Sequence, residues 1–106
     1  MTRLLDDEEI TRQLADLAGW QWREGALHAL VEAPSFTDAV ALVTAVADEA
    51  EQMDHHPDID LRYRTVRFEL STHSAGGVTQ LDVELAHRIT RHARRLGATA
   101  VERDGD

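Results

Sequence analysis

His55 and His56 stand side by side in Asp54-His55-His56-Pro57, and a third histidine, His73, follows Ser71-Thr72 further along the chain. Histidine is the side chain whose ordinary pKa, about 6.5, lets it both give and take protons near neutrality. Three imidazoles brought to one place would therefore make a proton-transfer site. Two carboxylates are spaced to join them. Glu51 precedes His55 by one helical turn, and Asp82 lies just beyond the glycine-containing segment after His73. Unequal surroundings for equivalent groups are what separate a general acid from a general base. Zinc held by the three histidines is the rival reading, but neighbouring residues project apart and no fourth ligand is suitably spaced. Glu84-x-x-His87 is half of a di-iron ligand motif, and the other half is absent from the sequence. Spacing thus favours proton transfer over a metal site. His28, His87 and His92 read as surface or cross-strand residues.

The elements that must position these residues can be read from periodicity and punctuation. Asp6-x-x-Glu9 has the form of a capping box, and Ile10, Leu14 and Leu17 continue it as a short amphipathic helix stopped by Gly19. Residues 20–24 and 26–32 read as strands around a tight turn at Glu24-Gly25, with Leu27, Ala29 and Val31 on one face. Ser35 is placed to cap a second helix reaching about Met53, with Phe36, Val40, Val43, Ala47 and Ala50 as its expected buried stripe. Alternation then changes phase between Ile59, Leu61, Tyr63 and Val66, Phe68, Leu70, which predicts a hairpin turn, set at Arg64-Thr65, with one long bulged strand as the alternative. Such a turn would place His56 opposite His73. Thr79-x-x-Asp82 is a second capping box, opening a helix that carries Leu81, Leu85, Ile89, Ala93 and Leu96 and ends at Gly97. Residues 98–106 are expected to be a frayed tail.

The order helix, two strands, helix, two strands, helix implies one α+β domain spanning residues 1–106. It should be a four-stranded, mostly antiparallel sheet with three helices on one face. Two free sheet edges make a homodimer or homotetramer the expected assembly. The formal charge of -9, without a Lys/Arg-rich stripe, argues against nucleic acid and anionic membrane surfaces as partners. Without cysteine there can be no disulfide framework and no thiol nucleophile. The acidic N-terminus and the shortness of the apolar run 39–47 point to a cytoplasmic protein rather than a membrane-spanning one.

The spaced residues also resemble a known family, the pterin-4a-carbinolamine dehydratases. Glu51, His55, His56, Pro57, Tyr63, His73 and Asp82 follow that family's E-x3-H-H-P-x5-Y-x9-H-x8-D pattern without a gap. Gly19-Trp20, Ser35-Phe36, Ser71-Thr72-His73 with the following Ala-Gly-Gly, and Leu85-Ala86 before Ile89 are similar as well. What the resemblance implies is dehydration of a 4a-hydroxytetrahydropterin to the quinonoid dihydropterin, without metal or organic cofactor, in recycling of the pterin that aromatic amino-acid hydroxylases use. It further implies His55 and His73 as the acid/base pair and His56 chiefly in substrate binding. Glu51 and Asp82 would polarise the site, and Asp54, Pro57, Ser71, Thr72 and Ser74 would line or shape it. Two departures stand out: Ile59 replaces a common Trp, and Ser74 replaces a common acidic residue. Some members of the family are dimerisation partners of a transcription factor, so the alternative expectation is a non-catalytic oligomerisation or adaptor module that keeps the histidine pocket.

Overall fold

The computed structural model describes residues 2–101. In chain order they form α1 (Asp7–Leu14), β1 (Trp20–Arg23), β2 (Ala26–Glu32), α2 (Phe36–Met53), β3 (Asp58–Arg62), β4 (Thr65–Leu70), a single 3-10 turn (His73–Ala75), α3 (Gln80–Arg95) and β5 (Thr99–Ala100). Every strand pairing is antiparallel, and the sheet runs β1-β2-β4-β3 with β5 paired to β2 past the end of β1. The α+β architecture is the expected one, with five strands in place of four.

Local signals account for most of the element boundaries. The Asp6 carboxylate accepts from the Glu9 backbone N–H while the Glu9 carboxylate accepts from that of Asp6, which satisfies two donors that a helix start leaves open. Arg3 braces this box from outside, and its hydrogen bonds hold the Glu9 carboxyl down to about 2. The helix ends at Leu14, earlier than its apolar pattern, and Leu17 is buried from the turn that follows. Glu24 and Gly25 both take positive φ, 53° and 76°, as a two-residue turn between right-twisted strands requires. Ser35 caps α2 by accepting from the Asp38 N–H.

Three expectations need correction. The β3–β4 turn sits at Tyr63-Arg64, with Tyr63 at φ 53°, so Asp58 faces Glu69 and Arg62 faces Thr65. That register lies two positions from the one expected, the ladder stops at Asp58, and His56 and His73 are not a cross-strand pair. The buried stripe of α2 is Ala39, Leu42, Val46 and Ala50, while Phe36, Val40 and Ala47 are exposed and Val43 is partly buried. Finally, residues 98–101 are not a frayed tail. Ala98 is buried, Thr99 and Ala100 form β5, and the Val101 N–H donates to the Leu30 carbonyl. The rest of that tail, residues 102–106, lies outside the described residues.

One sheet face carries the core. Leu27, Ala29 and Val31 of β2 and Val66, Phe68 and Leu70 of β4 point into a cluster with Ile10 of α1, Leu42 and Val46 of α2, and Leu85 and Ile89 of α3. The opposite face presents Gln21, Arg67, Glu69, Asp60 and Arg62, with His28 buried among them and opposite Glu69. Helices α2 and α3 are also tied together by Glu49, which accepts from Arg88 at 2.9 Å and His92 at 2.7 Å. The hydrogen bonds from His92 and Arg88 hold the Glu49 carboxyl below its ordinary range. Among the described residues no helix is long and apolar enough to cross a membrane.

Gly19 shows what β5 demands of the chain. Its φ is +92°, and a Cβ built there would come within 2.9 Å of the Ala100 Cβ. Gly19→Ala should therefore destabilise the fold by about 1–3 kcal/mol, from backbone strain and overpacking together. Urea unfolding measures this directly, and an unchanged midpoint would contradict the close approach of β5.

Candidate active site

The segment carrying His55 and His56 is aimed by the way α2 ends. Asp54 adopts the left-handed conformation, φ 51° and ψ 45°, and the His55 N–H returns to the Ala50 carbonyl at 3.0 Å. This is the six-to-one closure of a Schellman-type cap, here with Asp in the place glycine usually holds. The chain therefore leaves the helix sharply at His55. Pro57, which has no N–H to give and biases the residue before it toward extended backbone, keeps the helix from resuming and leads into β3.

That reversal decides which carboxylate each histidine meets. His55 turns inward: its side chain is 10% exposed, and its Nε2 lies 2.6 Å from the Oδ1 of a fully buried Asp82. His56 turns outward to Glu51, Nε2 to Oε2 at 2.6 Å, with both side chains largely in solvent. The expected partnership of Glu51 with His55 is thus replaced by Glu51 with His56. Exposed pairs of this kind contribute about 0–1 kcal/mol to stability, so the Glu51 contact orients His56 more than it stabilises the fold.

Asp82 performs two tasks at once. As the third residue of α3 its Oδ2 accepts from the Thr79 N–H at 2.9 Å, completing the capping box. The same oxygen accepts from the Thr72 hydroxyl at 2.8 Å, and Thr72 Oγ1 lies 2.7 Å from Thr79 Oγ1. Thr72 can give its one proton to only one acceptor. With that proton on Asp82, Thr79 must donate to Thr72, and the Thr79 oxygen in turn accepts from the Leu81 N–H. The N-terminal segment steadies this corner, since the Leu5 N–H donates to the Val78 carbonyl.

His73 is the residue after Thr72. The Thr72 carbonyl accepts from the N–H groups of Ala75 and Gly76, winding a 3-10 turn, and the Thr72 N–H closes the loop onto the Gly77 carbonyl. His73 and Ser74 are exposed at the start of this turn, and Ser71 is half-buried behind it. His55 and His73 consequently flank one buried contact, Asp82 with Thr72. Through its carboxylate that contact holds the first imidazole, and through the backbone it carries the second. Asp54, exposed, and Pro57, half-buried, bracket the histidine pair along the chain.

His55 keeps one nitrogen free. Its Nε2–H points at a carboxylate, so in the neutral ring Nδ1 is an acceptor, and Nδ1 has no hydrogen-bond partner among the described residues. No buried side-chain nitrogen or oxygen among them is left unpaired, so the small exposed part of His55 includes Nδ1. The arrangement can move a proton between that nitrogen and a bound molecule. Among the described residues no group of three or more His, Asp or Glu side chains is disposed to hold a metal ion. Sequence reasoning picked out Asp82 and Thr72 as site residues, yet Thr79 only as a helix cap. Its link to Thr72 carries no spacing signal of its own.

Residues 3–92 match the sequence model of the family described as Pterin 4 alpha carbinolamine dehydratase. The chain belongs to that family. Two relatives bearing the pterin-4-alpha-carbinolamine dehydratase name agree with it closely. One, from Mycobacterium avium, is 52% identical over 86 residues, covering 81% of this chain and 92% of its own length. Another, from Nocardia farcinica, is 52% identical over 93 residues, covering 88% and 98%. Among solved structures, the transcriptional coactivator/pterin dehydratase from Brucella melitensis superposes with a TM-score of 0.82 at 33% identity, over 84% of this chain and 97% of that one. A pterin dehydratase-like protein described as a RuBisCO assembly factor in the alpha-carboxysome gives a TM-score of 0.58 at 21% identity, over 70% and 86%. This last likeness is one of fold alone.

Proposed function

We propose that this pterin dehydratase family member removes water from a 4a-hydroxytetrahydropterin by histidine acid/base catalysis, acting in the cytoplasm in recycling of the reduced pterin. The observation that carries this reading is the buried Asp82 carboxylate, which holds His55 by Nε2 and grips the residue next to His73. Dehydration needs an acid at the C4a hydroxyl and a base at the N5 proton. One histidine of the His55/His73 pair gives its proton to the departing hydroxyl, which leaves as water. The other takes the N5 proton as the C4a–O bond breaks, and exchange with solvent resets the pair. Each such transfer is worth about 10² to 10⁴-fold. His56, oriented by Glu51, lies on the exposed side, where it contributes to binding the pterin. No metal or organic cofactor takes part in this scheme.

Chelator-treated protein should accelerate decay of the 4a-carbinolamine absorbance above the uncatalysed rate. Decay at the uncatalysed rate would remove the dehydratase reading. A second reading, as an oligomerisation or adaptor module, is favoured by a specific surface: Phe36 and Val40 of α2 and Tyr63 beside them are 50%, 41% and 72% exposed, with the Phe36 and Tyr63 rings stacked at 6.5 Å. A stoichiometric heterologous partner together with absent turnover would favour it. The same surface and the free edge of β3 suit a homodimer or homotetramer, and a functional link to an aromatic amino-acid hydroxylase would follow from the recycling role.

A further inference from the structure

We infer that Thr72 is a positioning residue that couples the two histidines, its hydroxyl fixing the carboxylate that holds His55 while its carbonyl winds the turn that presents His73. The inference rests on the dehydratase reading for its kinetic consequences, but its geometry stands apart from that reading. Thr72 is buried, and its hydroxyl is fully engaged, giving its proton to Asp82 Oδ2 at 2.8 Å and receiving one from Thr79 at 2.7 Å. A substrate cannot reach it. What it controls is the aim of Asp82. That carboxylate takes three donors, the Thr72 hydroxyl and Thr79 N–H on one oxygen and the His55 Nε2–H on the other, and none of them leaves it room to rotate.

The consequence falls on His55. A carboxylate pinned at Oδ2 presents Oδ1 in one direction, which favours the His55 tautomer protonated at Nε2 and leaves Nδ1 as the unbonded, partly exposed nitrogen. Loss of the Thr72 hydroxyl frees Oδ2 to turn toward its remaining donor and strands the Thr79 hydroxyl in a buried corner. His55 then loses its fixed acceptor. The backbone half of the role is unaffected by side-chain replacement, because Ala75 and Gly76 bond to the Thr72 carbonyl whatever the side chain. This separates the hydroxyl from the turn.

The test compares Thr72→Val, which removes the hydroxyl at nearly constant shape, with Thr72→Ser, which keeps it. Thr72→Ala, also without the hydroxyl, takes the place of the valine variant if that chain does not fold. Misaligned catalytic groups cost on the order of 10 to 100-fold, so kcat should fall by that factor in Thr72→Val with KM little changed, and Thr72→Ser should restore it. Nitrogen-15 NMR of the His55 ring supplies a readout that packing alone would not move. The unmodified protein should show the Nε2–H tautomer, and Thr72→Val a mixture. A dominant Nδ1–H tautomer in the unmodified protein would overturn the inference, as would equal kcat values for the valine and serine variants. If the unmodified protein shows no turnover at all, the dehydratase reading fails, and the ring spectra still decide the role of Thr72.

Discussion

Replacing His55 or His73 by alanine should lower kcat for carbinolamine dehydration by about 10² to 10⁴-fold, the usual share of one positioned acid or base. The two variants should part company in stability. His73 is exposed on a turn held entirely by backbone hydrogen bonds around Thr72, so His73→Ala should melt with the unmodified protein. His55 gives the fully buried Asp82 one of its three donors. Its loss leaves Oδ1 short of a partner, at a cost of about 1–3 kcal/mol. Paired kinetics and thermal melts thus give a signature that simple unfolding cannot imitate: two comparable losses of rate, one of them with an intact melting temperature. Turnover within threefold of the unmodified enzyme in both variants would remove the assigned roles.

Phe68→Ala should have the largest effect on the fold. Phe68 lies at the centre of β4, facing Ala29 of β2 and Ile59 of β3, and its side chain is wholly buried beneath the helices. Removing a buried aromatic ring costs about 3–5 kcal/mol, part for the lost transfer of the ring from water and part for the cavity left behind. A domain of this size has only about 5–15 kcal/mol in hand. The melting temperature should accordingly drop on the order of 15 °C. Phe68→Leu, which keeps most of the volume, should lose much less. If Phe68→Ala lost under about 1 kcal/mol in urea, the helix layer would not be seated on β4 as described.

What the sequence made legible was local. The two capping boxes, the Ser35 cap and the Glu24-Gly25 turn all depend on residues a few positions apart, and each lies where its residues indicated. The buried side of α2 was misjudged because residues 39–47 are apolar nearly all round the helix, so periodicity selects no face. Only packing against α3 and β4 makes the choice. The Tyr63-Arg64 turn lacks the glycine or asparagine that usually marks positive φ, and β5 is two residues long with no pattern to notice. Both are imposed by neighbouring strands.

The site shows the same division. Spacing alone exposed the three histidines and both carboxylates. Which carboxylate serves which histidine did not follow from it, because the helical relation between Glu51 and His55 ends at the left-handed Asp54. One residue of reversed backbone exchanges the partners, sending His55 inward to Asp82 and leaving Glu51 to His56.

The shared duty of Asp82 also bears on how such chains diverge. A descendant that abandoned proton transfer would still be selected to begin its third helix properly, and an acid at this position would persist for that reason alone. Finding the carboxylate in a distant homologue is therefore poor testimony of retained turnover. The exposed imidazole at position 73 has no comparable structural excuse. If His73 is half of the proposed acid/base pair, its survival or disappearance is the trait by which working enzymes and retired scaffolds of this lineage should be told apart.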